Sequence, residues 1–299
     1  MKYTKNIFGL LMLLSFASVA FGQLTILSGS SQATQYSLVQ DIATIVADTL
    51  GFKIENKSTN GAADNFNQLV DPKSPYKLAI LQADYLYFMK AQDMRVNTEK
   101  TKNLKVVVPL GYQQIHLVTK TGRGINGLKD LNGKVVSLGS EDQGTYRTAS
   151  IIKERSQGNW TAVNTPFEDC FRDLTTDQIS AFFIVSSAPI QKLDVDPQSM
   201  GVQLSLVPLV NYNDWAKYYK ADTIHKSDYK WLDHDVPTFS VPSVLVVNES
   251  KLTGNDHDEI MKLKSGMQSK MPELKATGHP QWKKINLQDW DESNWPLYK

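Results

Sequence analysis

The order of apolar and polar positions along the chain predicts short strands separated by helices. Apolar runs at 24–27, 52–56 and 78–81 have the length and spacing of strands. Between the first two, apolar residues recur at i, i+4, i+7 and i+8 over 38–46, which indicates an amphipathic helix. Strands that alternate with helices in this way predict mainly parallel sheets with helices on both faces.

The same pattern occurs twice, over 24–110 and over 134–207. A late apolar strand at 239–247 and a helical pattern near 256–271 have no partners of their own, so we expect both to return to the first half. The sequence therefore predicts two α/β lobes. Residues 23–118 and 212–299 would form a discontinuous first lobe, and residues 119–211 an inserted second lobe. Two chain crossings between lobes imply a hinge and a cleft.

The first 22 residues have the pattern of a secretory signal peptide. Lys2 and Lys5 precede an apolar run at 7–21, which is shorter than the roughly 20 residues that cross a bilayer. Ala20 and Gly22 place small residues at the −3 and −1 positions of a cleavage site. We expect cleavage after residue 22 and a periplasmic mature protein. A membrane anchor is the alternative.

The amino-acid composition argues against several classes of function. The 299 residues are 41% hydrophobic and 21% charged, with a formal net charge of +1. These values are typical of globular domains and argue against a nucleic-acid partner, which would favour a basic excess. A single cysteine, Cys170, excludes an internal disulfide and a cysteine-based zinc cluster. The five histidines lack metal-ligand spacing, so we expect no metal and no cofactor.

Two strand-to-helix turns have the character of ligand-binding loops. Residues 28–36 and 139–146 are rich in small and hydroxyl side chains, which leave backbone N–H groups accessible. A helix N-terminus carries unpaired N–H donors and about half a positive charge, so each turn could hold a carboxylate or a phosphate. Simple helix capping is the alternative for either turn taken alone.

The motifs of enzymes are incomplete in this chain. Two Ser-x-x-Lys matches, at 74–77 and 227–230, lack the further elements that a penicillin-binding enzyme needs. No Gly-x-Ser-x-Gly nucleophile turn is present. The sequence therefore favours binding without catalysis, and we assign no catalytic residue.

Several segments along the mature chain match one ordered set of motifs. They include S-T-N-G-A-A-D-N at 58–65, L-A-I-L-Q-A-D at 78–84 and L-K-D-L-N-G-K-V-V at 128–136, with further matches at 27–43, 115–118, 144–145, 181–184 and 235–246. In this order the set resembles the TAXI family of solute receptors of TRAP transporters, which are periplasmic binding proteins of the type II fold.

The resemblance implies a monomeric two-lobed receptor that closes on a small organic acid. A glutamate-like amino acid or a dicarboxylate such as 2-oxoglutarate would be the ligand, and the membrane subunits of a TRAP transporter the partner. The implied ligand contacts follow the predicted strands: Ser28, Ser30, Ser31, Thr34, Tyr36, Asn60, Gly61, Asn65, Gln82, Asp84, Gln143, Gly144, Thr145, Ser186 and Ser187.

The chain also departs from that family's pattern. Serine and glutamine replace several glycines of the first loop, residues 112–114 are Tyr-Gln-Gln where an acidic residue is common, and Ser180 replaces an aspartate. Two other functions stay open: a ligand-binding module of a signalling partner, and an ABC-importer receptor for a phosphonate, a sulfonate or a pyrimidine. An aromatic, uncharged pocket would favour the pyrimidine.

Overall fold

The computed structural model describes residues 23–194, 201–217 and 219–299, so the predicted signal peptide at 1–22 lies outside the described residues. Ten strands form one hydrogen-bonded sheet. In chain order they are β1 Gln23–Gly29, β2 Lys53–Ser58, β3 Leu78–Gln82, β4 Leu104–Lys120, β5 Val135–Ser137, β6 Thr161–Val163, β7 Ala181–Ser186, β8 Leu204–Leu206, β9 Lys220–Ile224 and β10 Val236–Asn248.

Helices follow most strands of the two predicted halves. They are α1 Thr34–Asp41, α2 Ala62–Val70, α3 Ala83–Val96, α4 Gly144–Arg155, α5 Phe167–Thr175, α6 Asp256–Ser269 and α7 Met271–Thr277. Helix α1 continues through a π-helical segment, Ile42–Ala47, and a last turn, Asp48–Leu50. Short 3-10 helices occupy Leu128–Leu131, Glu249–Lys251 and Pro280–Lys284.

The sheet contains two parallel groups of strands joined by long antiparallel ones. The order is β2-β1-β3-β10-β4-β7-β5-β6, with β8 beside β4 and β9 beside β10. Strand β1 runs parallel to β2 and β3, and β5 runs parallel to β6 and β7. Helices between the parallel strands cover them. The predicted pair of α/β lobes is confirmed.

Strands β4 and β10 cross from one lobe to the other. The first half of β4 pairs with β10, and its second half pairs with β7 of the second lobe. Strand β10 pairs with β9 over its first half and with β3 over its second. Near the crossing, Gly111 has a φ of +81° and the register shifts between Pro242 and Val244. Both long strands are therefore irregular at the crossing, where the sequence predicts a hinge.

Each lobe has its own apolar core. In the first lobe, α1 and α6 cover one face of the sheet around Ile26 and Leu245. The C-terminal segment packs against both clusters of this lobe. Trp282 is fully buried in the cluster around Ile26. Trp295 lies in the other cluster and donates its indole N–H to the Leu104 carbonyl at 2.9 Å.

The packing of residues between 215 and 241 indicates where the chain returns to the first lobe. Trp215, Tyr219 and Val241 belong to the apolar cluster of the second lobe, together with Ile115 and Ala149. The sequence prediction assigns all residues from 212 onward to the first lobe. We propose instead that the second crossing lies within β10, near residues 241–243, where its pairing passes from β9 to β3.

Candidate functional site

A cavity of about 590 Å³ lies between the two lobes. Its first-lobe wall consists of the turns that follow β1, β2 and β3. Its second-lobe wall consists of the turns that follow β5 and β7 and of the start of α5. Gln113 of β4 and Ser243 of β10 line it at the hinge. The carboxyl ends of parallel strands and the N-termini of the following helices meet here, as in other open α/β sheets with a ligand crevice.

Ten of the fifteen predicted contacts line this cavity: Ser28, Ser30, Asn60, Gly61, Asn65, Gln82, Gln143, Gly144, Thr145 and Ser186. The other five, which are Ser31, Thr34, Tyr36, Asp84 and Ser187, are absent from its described lining. Among these, the Ser187 hydroxyl donates to the Tyr112 carbonyl at 3.1 Å, and the Tyr36 carbonyl accepts from the Asn56 amide at 2.9 Å.

The lobes touch each other across the mouth of the cavity. The Ala63 N–H of the first lobe donates to the Asp142 carbonyl of the second at 3.1 Å. Gly61 has a φ of +140°, and a Cβ added there would lie 3.1 Å from the Gln143 Cα. A Cβ on Gly144 would lie 1.6 Å from Oε1 of Gln82. The structure is therefore a closed arrangement that depends on glycine at both positions.

The N-termini of four helices line the cavity: α5 does so through Phe167 and Glu168 of its first turn, and α1, α2 and α4 do so through their N-cap residues. These N-cap residues are Ala33, Gly61 and Gln143, and none of the three supplies a side-chain hydrogen bond to the first turn. All three residues line the cavity. First-turn N–H groups have no partner within their own helix, and the helix dipole adds partial positive charge. The arrangement suits an anionic group.

Polar side chains add both hydrogen-bond donors and acceptors to the cavity wall. Oγ1 of Thr145 accepts the Val185 N–H at 3.0 Å, so its own proton can be donated elsewhere. Gln82 donates through Nε2 to Oε1 of Gln113 at 2.8 Å. Oε1 of Gln82 and Oγ of Ser243 are buried without a hydrogen-bond partner among the described residues. Buried polar atoms are rarely left unpaired, so these two atoms mark unused binding capacity.

The charged side chains in the described lining are Glu168 and Lys192, which pair with each other at 3.0 Å. A hydrogen bond from its own backbone N–H, and then one from Lys192, holds the pKa of Glu168 below its ordinary value. The pair is therefore charged and self-neutralising. An ionic ligand would be balanced by backbone N–H groups rather than by a free side-chain charge.

Asn65 lies at the cavity wall but its amide is engaged within the first lobe. Nδ2 donates to the Ile80 carbonyl at 2.8 Å and to the Leu27 carbonyl at 3.3 Å, while Oδ1 accepts from the Thr59 hydroxyl. It therefore links β1 and β3 to the loop after β2. Asn65 holds the cavity wall in shape.

Asp84, a predicted ligand contact, faces the second lobe instead of the cavity. Its carboxylate accepts hydrogen bonds from Thr148 and Tyr219, and the side chain is 5% exposed. Asp84 is the second residue of α3, while Gln82 precedes the helix. Two residues correspond to about 200° around a helix, so the two side chains point in different directions.

Sequence reasoning missed several lining residues. Gln35, Gln113 and Ser243 lie inside α1, β4 and β10 and not in the turns that mark the predicted site, so their place in the lining depends on the tertiary fold. The signal available for Gln113 was its place in the Tyr-Gln-Gln run between two apolar strands. Glu168 and Lys192 are distant in sequence, and only the tertiary fold shows that they form a pair.

The described part of the chain gives little support for a metal site, a reactive thiol or a membrane-spanning helix. There, no group of three His, Cys, Asp or Glu residues is placed to hold a metal ion. Cys170 donates to Oγ of Ser137 at 3.6 Å, and burial raises the pKa of its thiol to about 12, so it stays protonated. None of the helices in the described ranges is both long and apolar enough to span a membrane.

Solved structures with a similar fold are binding proteins. An ancestral arginine-binding protein bound to arginine aligns with a TM-score of 0.52 and 14% identity, over 88% of this chain and 96% of that one. The substrate-binding protein of an amino acid ABC transporter aligns at 0.51 and 12%, over 88% and 96%. A periplasmic binding protein of Salmonella typhimurium with high arginine specificity aligns at 0.50 and 16%, over 87% and 96%.

These similarities confirm the two-lobed periplasmic-binding-protein-like fold. At this level of identity they show the fold alone, and the search of curated proteins found no match. The TAXI family and TRAP transport are named by none of these comparisons and stay predictions. A model of the NMT1-like family matches residues 26–296, which is most of the chain. The chain therefore belongs to the NMT1-like family.

Proposed function

We propose that this protein is a periplasmic solute receptor that binds a small amino acid or a related small organic acid between its lobes and delivers it to a membrane importer. One observation carries the proposal. Three helix N-termini without side-chain caps meet at a closed cavity that also contains buried polar atoms without partners. The predicted signal peptide and the binding-protein fold support the periplasmic location.

The cavity chemistry limits the ligand. A carboxylate suits the N-termini of α1, α2 and α4, and a ligand N–H suits Oε1 of Gln82. A guanidinium or a second ammonium would lack a free carboxylate among the described lining residues, because Glu168 is paired with Lys192. Burying an unpaired charge is costly. The volume of about 590 Å³ lies within the range of small-molecule sites.

Closure couples binding to delivery. If the ligand contacts both lobes only in the closed form, its preference for that form shifts the hinge equilibrium. Moving that equilibrium from 1:99 to 99:1 needs about 5.5 kcal/mol of preference. Three or four hydrogen bonds to a charged group, at roughly 1.5–3 kcal/mol each, supply this amount. No bond in the ligand has to break, so the proposal needs no catalytic residue.

An ABC importer is the first candidate for the partner, because an amino acid ABC transporter supplied one of the structures with the same fold. A TRAP transporter is the second candidate, and the ordered motif set at 27–43, 58–65 and 78–84 favours it. Uptake by vesicles that contain the membrane subunits encoded beside this gene separates the two. ATP-dependent uptake supports the ABC importer, and uptake driven by an ion gradient supports TRAP.

Thermal unfolding tests the receptor function itself. The protein is purified through denaturation to remove bound ligand, refolded, and heated with single amino acids, dicarboxylates, a phosphonate, a sulfonate and a pyrimidine. A ligand at 100 times its Kd should add about 2.7 kcal/mol to the free energy of unfolding. No shift with any amino acid or organic acid would refute the proposed ligand class, and a shift with the pyrimidine alone would support the other importer class.

A further inference from the structure

We propose that Asp84, Thr148 and Tyr219 form a latch that holds the two lobes together outside the ligand cavity. The latch sets ligand affinity by populating the closed arrangement before any ligand binds. Its effect on affinity rests on the proposed receptor function, whereas its effect on lobe separation does not.

The three side chains meet at one carboxylate oxygen. Oδ2 of Asp84 accepts the Thr148 hydroxyl at 2.7 Å and the Tyr219 hydroxyl at 3.0 Å. Thr148 is fully buried, and Tyr219 is 8% exposed. Burial raises the pKa of the Asp84 carboxyl, and the two hydrogen bonds act in the opposite direction. Donors this close to a buried carboxyl oxygen make a strong, directional contact.

The contact joins the lobes. Asp84 lies in the first turn of α3, directly after β3 of the first lobe. Thr148 lies on α4, whose Ala149 and Ile152 pack into the second-lobe core. Tyr219 belongs to the same core, with its ring 6.1 Å from that of Trp215. None of the three latch residues belongs to the described lining of the cavity.

A neighbouring contact widens this interface. The Arg147 guanidinium of α4 lies 3.9 Å from the ring centroid of Phe88 on α3, and 5.9 Å from that of Tyr85. Cations over aromatic faces are attracted most strongly where water is excluded. Helices α3 and α4 therefore form an interface between the lobes beside the cavity. In this interface the hydrogen bonds of Asp84 lie next to the contacts of Arg147 with aromatic rings.

The latch also acts on the cavity wall through α4. Thr148 lies one helical turn after Gly144, and the N-terminus of α4 at Gly144 and Thr145 lines the cavity. Holding Thr148 against Asp84 therefore holds this N-terminus in its closed position. A receptor whose competent form is only partly populated binds with an affinity reduced by that fraction. Weakening the latch should raise the apparent Kd without removing any ligand contact.

Two single-group variants test this. Thr148→Val removes one hydroxyl at nearly constant volume, and Tyr219→Phe removes the other while it keeps the ring in the core. Ser150→Ala is the matched control, because the Ser150 hydroxyl on the same helix donates to the Tyr146 carbonyl within α4. Thr148→Ser tests rescue by a hydroxyl. Spin labels on the exposed residues Asn67 and Glu154, one in each lobe, report lobe separation in ligand-free protein.

Ligand-free wild type should populate the short label distance in part, and a bound ligand should shift the remainder to it. Thr148→Val and Tyr219→Phe should each lower the closed-to-open ratio about tenfold, and Thr148→Ser should restore most of it. The Kd should rise by the ratio of the closed fractions of wild type and variant, and this factor should be the same for every amino acid or organic acid that binds.

A fully open ligand-free wild type, or variants with wild-type distances, would overturn the latch. So would Kd changes that differ between ligands, because they would indicate direct contact. If no ligand binds but the distances change as expected, the receptor function fails and the latch stands.

Discussion

Gly144 is the residue at which closure of the lobes is most sensitive to a single added atom. It begins α4, lines the cavity and lies against Gln82 of the other lobe. An alanine Cβ there would lie 1.6 Å from Oε1, 2.5 Å from Cδ and 3.1 Å from Nε2 of Gln82. The whole amide has to move, or the lobes have to stay apart.

The free-energy cost of Gly144→Ala in the closed form follows from the hydrogen bond that the Gln82 amide makes. Gln82 is 5% exposed and donates to Gln113 at 2.8 Å, so displacing it breaks a buried hydrogen bond and leaves Oε1 of Gln113 unpaired. An unpaired buried acceptor costs roughly 1–3 kcal/mol. At 1.4 kcal/mol per factor of ten, Gly144→Ala should weaken ligand binding about 5- to 150-fold. Alanine is a better helix former than glycine, by as much as about 1 kcal/mol, so the ligand-free protein should be as stable as wild type or more stable.

Calorimetric titration with a ligand found by thermal unfolding measures the Kd, and denaturant unfolding of ligand-free protein measures stability. Gly127→Ala is the matched control, because a Cβ at Gly127 meets nothing within 4 Å. Wild-type affinity for Gly144→Ala would refute the reasoning. A loss of more than about 1 kcal/mol in ligand-free stability would also contradict it, because the glycine would then be needed for folding and not for closure.

Three further predictions concern cavity residues and one buried histidine. Asn65→Ala should lower the free energy of unfolding by about 1–3 kcal/mol, because it removes the hydrogen-bond donor of two buried carbonyls. Asn67→Ala, at an exposed position, should leave it unchanged. Denaturant titration of both variants measures the difference. Thr145→Ala should weaken ligand binding at least tenfold while Tyr36→Phe leaves it unchanged, and a titration in which both bind like wild type would remove Thr145 from the site. Burial lowers the pKa of His116 from 6.5 to about 4, so the unfolded chain takes up a proton that the folded protein refuses. Stability should therefore fall by as much as about 1.4 kcal/mol per pH unit as pH drops from 6.5 towards 4. Unfolding of His116→Gln between pH 6.5 and 5 should show a shallower slope, and an equal slope would contradict the assignment.

The turns were predictable from sequence because their chemistry is local. Small and hydroxyl residues after an apolar strand mark a helix start, which is how the turns at 28–36 and 139–146 were found. From the sequence alone we also predict a helix at 145–154, and α4 differs from it by one residue at each end. Each of these features depends on residues within one turn of each other, so no tertiary information is needed.

The hinge was harder to predict because its strands change partners. From the sequence alone we predict two separate β segments, at 106–110 and at 115–119. In the structure both belong to one strand, β4. Strand β10 pairs along it, and the register between the two strands shifts at the irregular positions. Strand β9 was missed for a related reason: its polar sequence is held only by pairing with β10.

Native mass spectrometry of the protein, purified without denaturation, shows directly whether a small acid occupies the cavity. We expect one small molecule per chain, with a carboxylate and without a cationic side chain, and lower occupancy in Gly144→Ala than in Gly127→Ala. A chain that carries no small molecule, and takes up none from a mixture of amino acids and organic acids, would contradict the proposed receptor function.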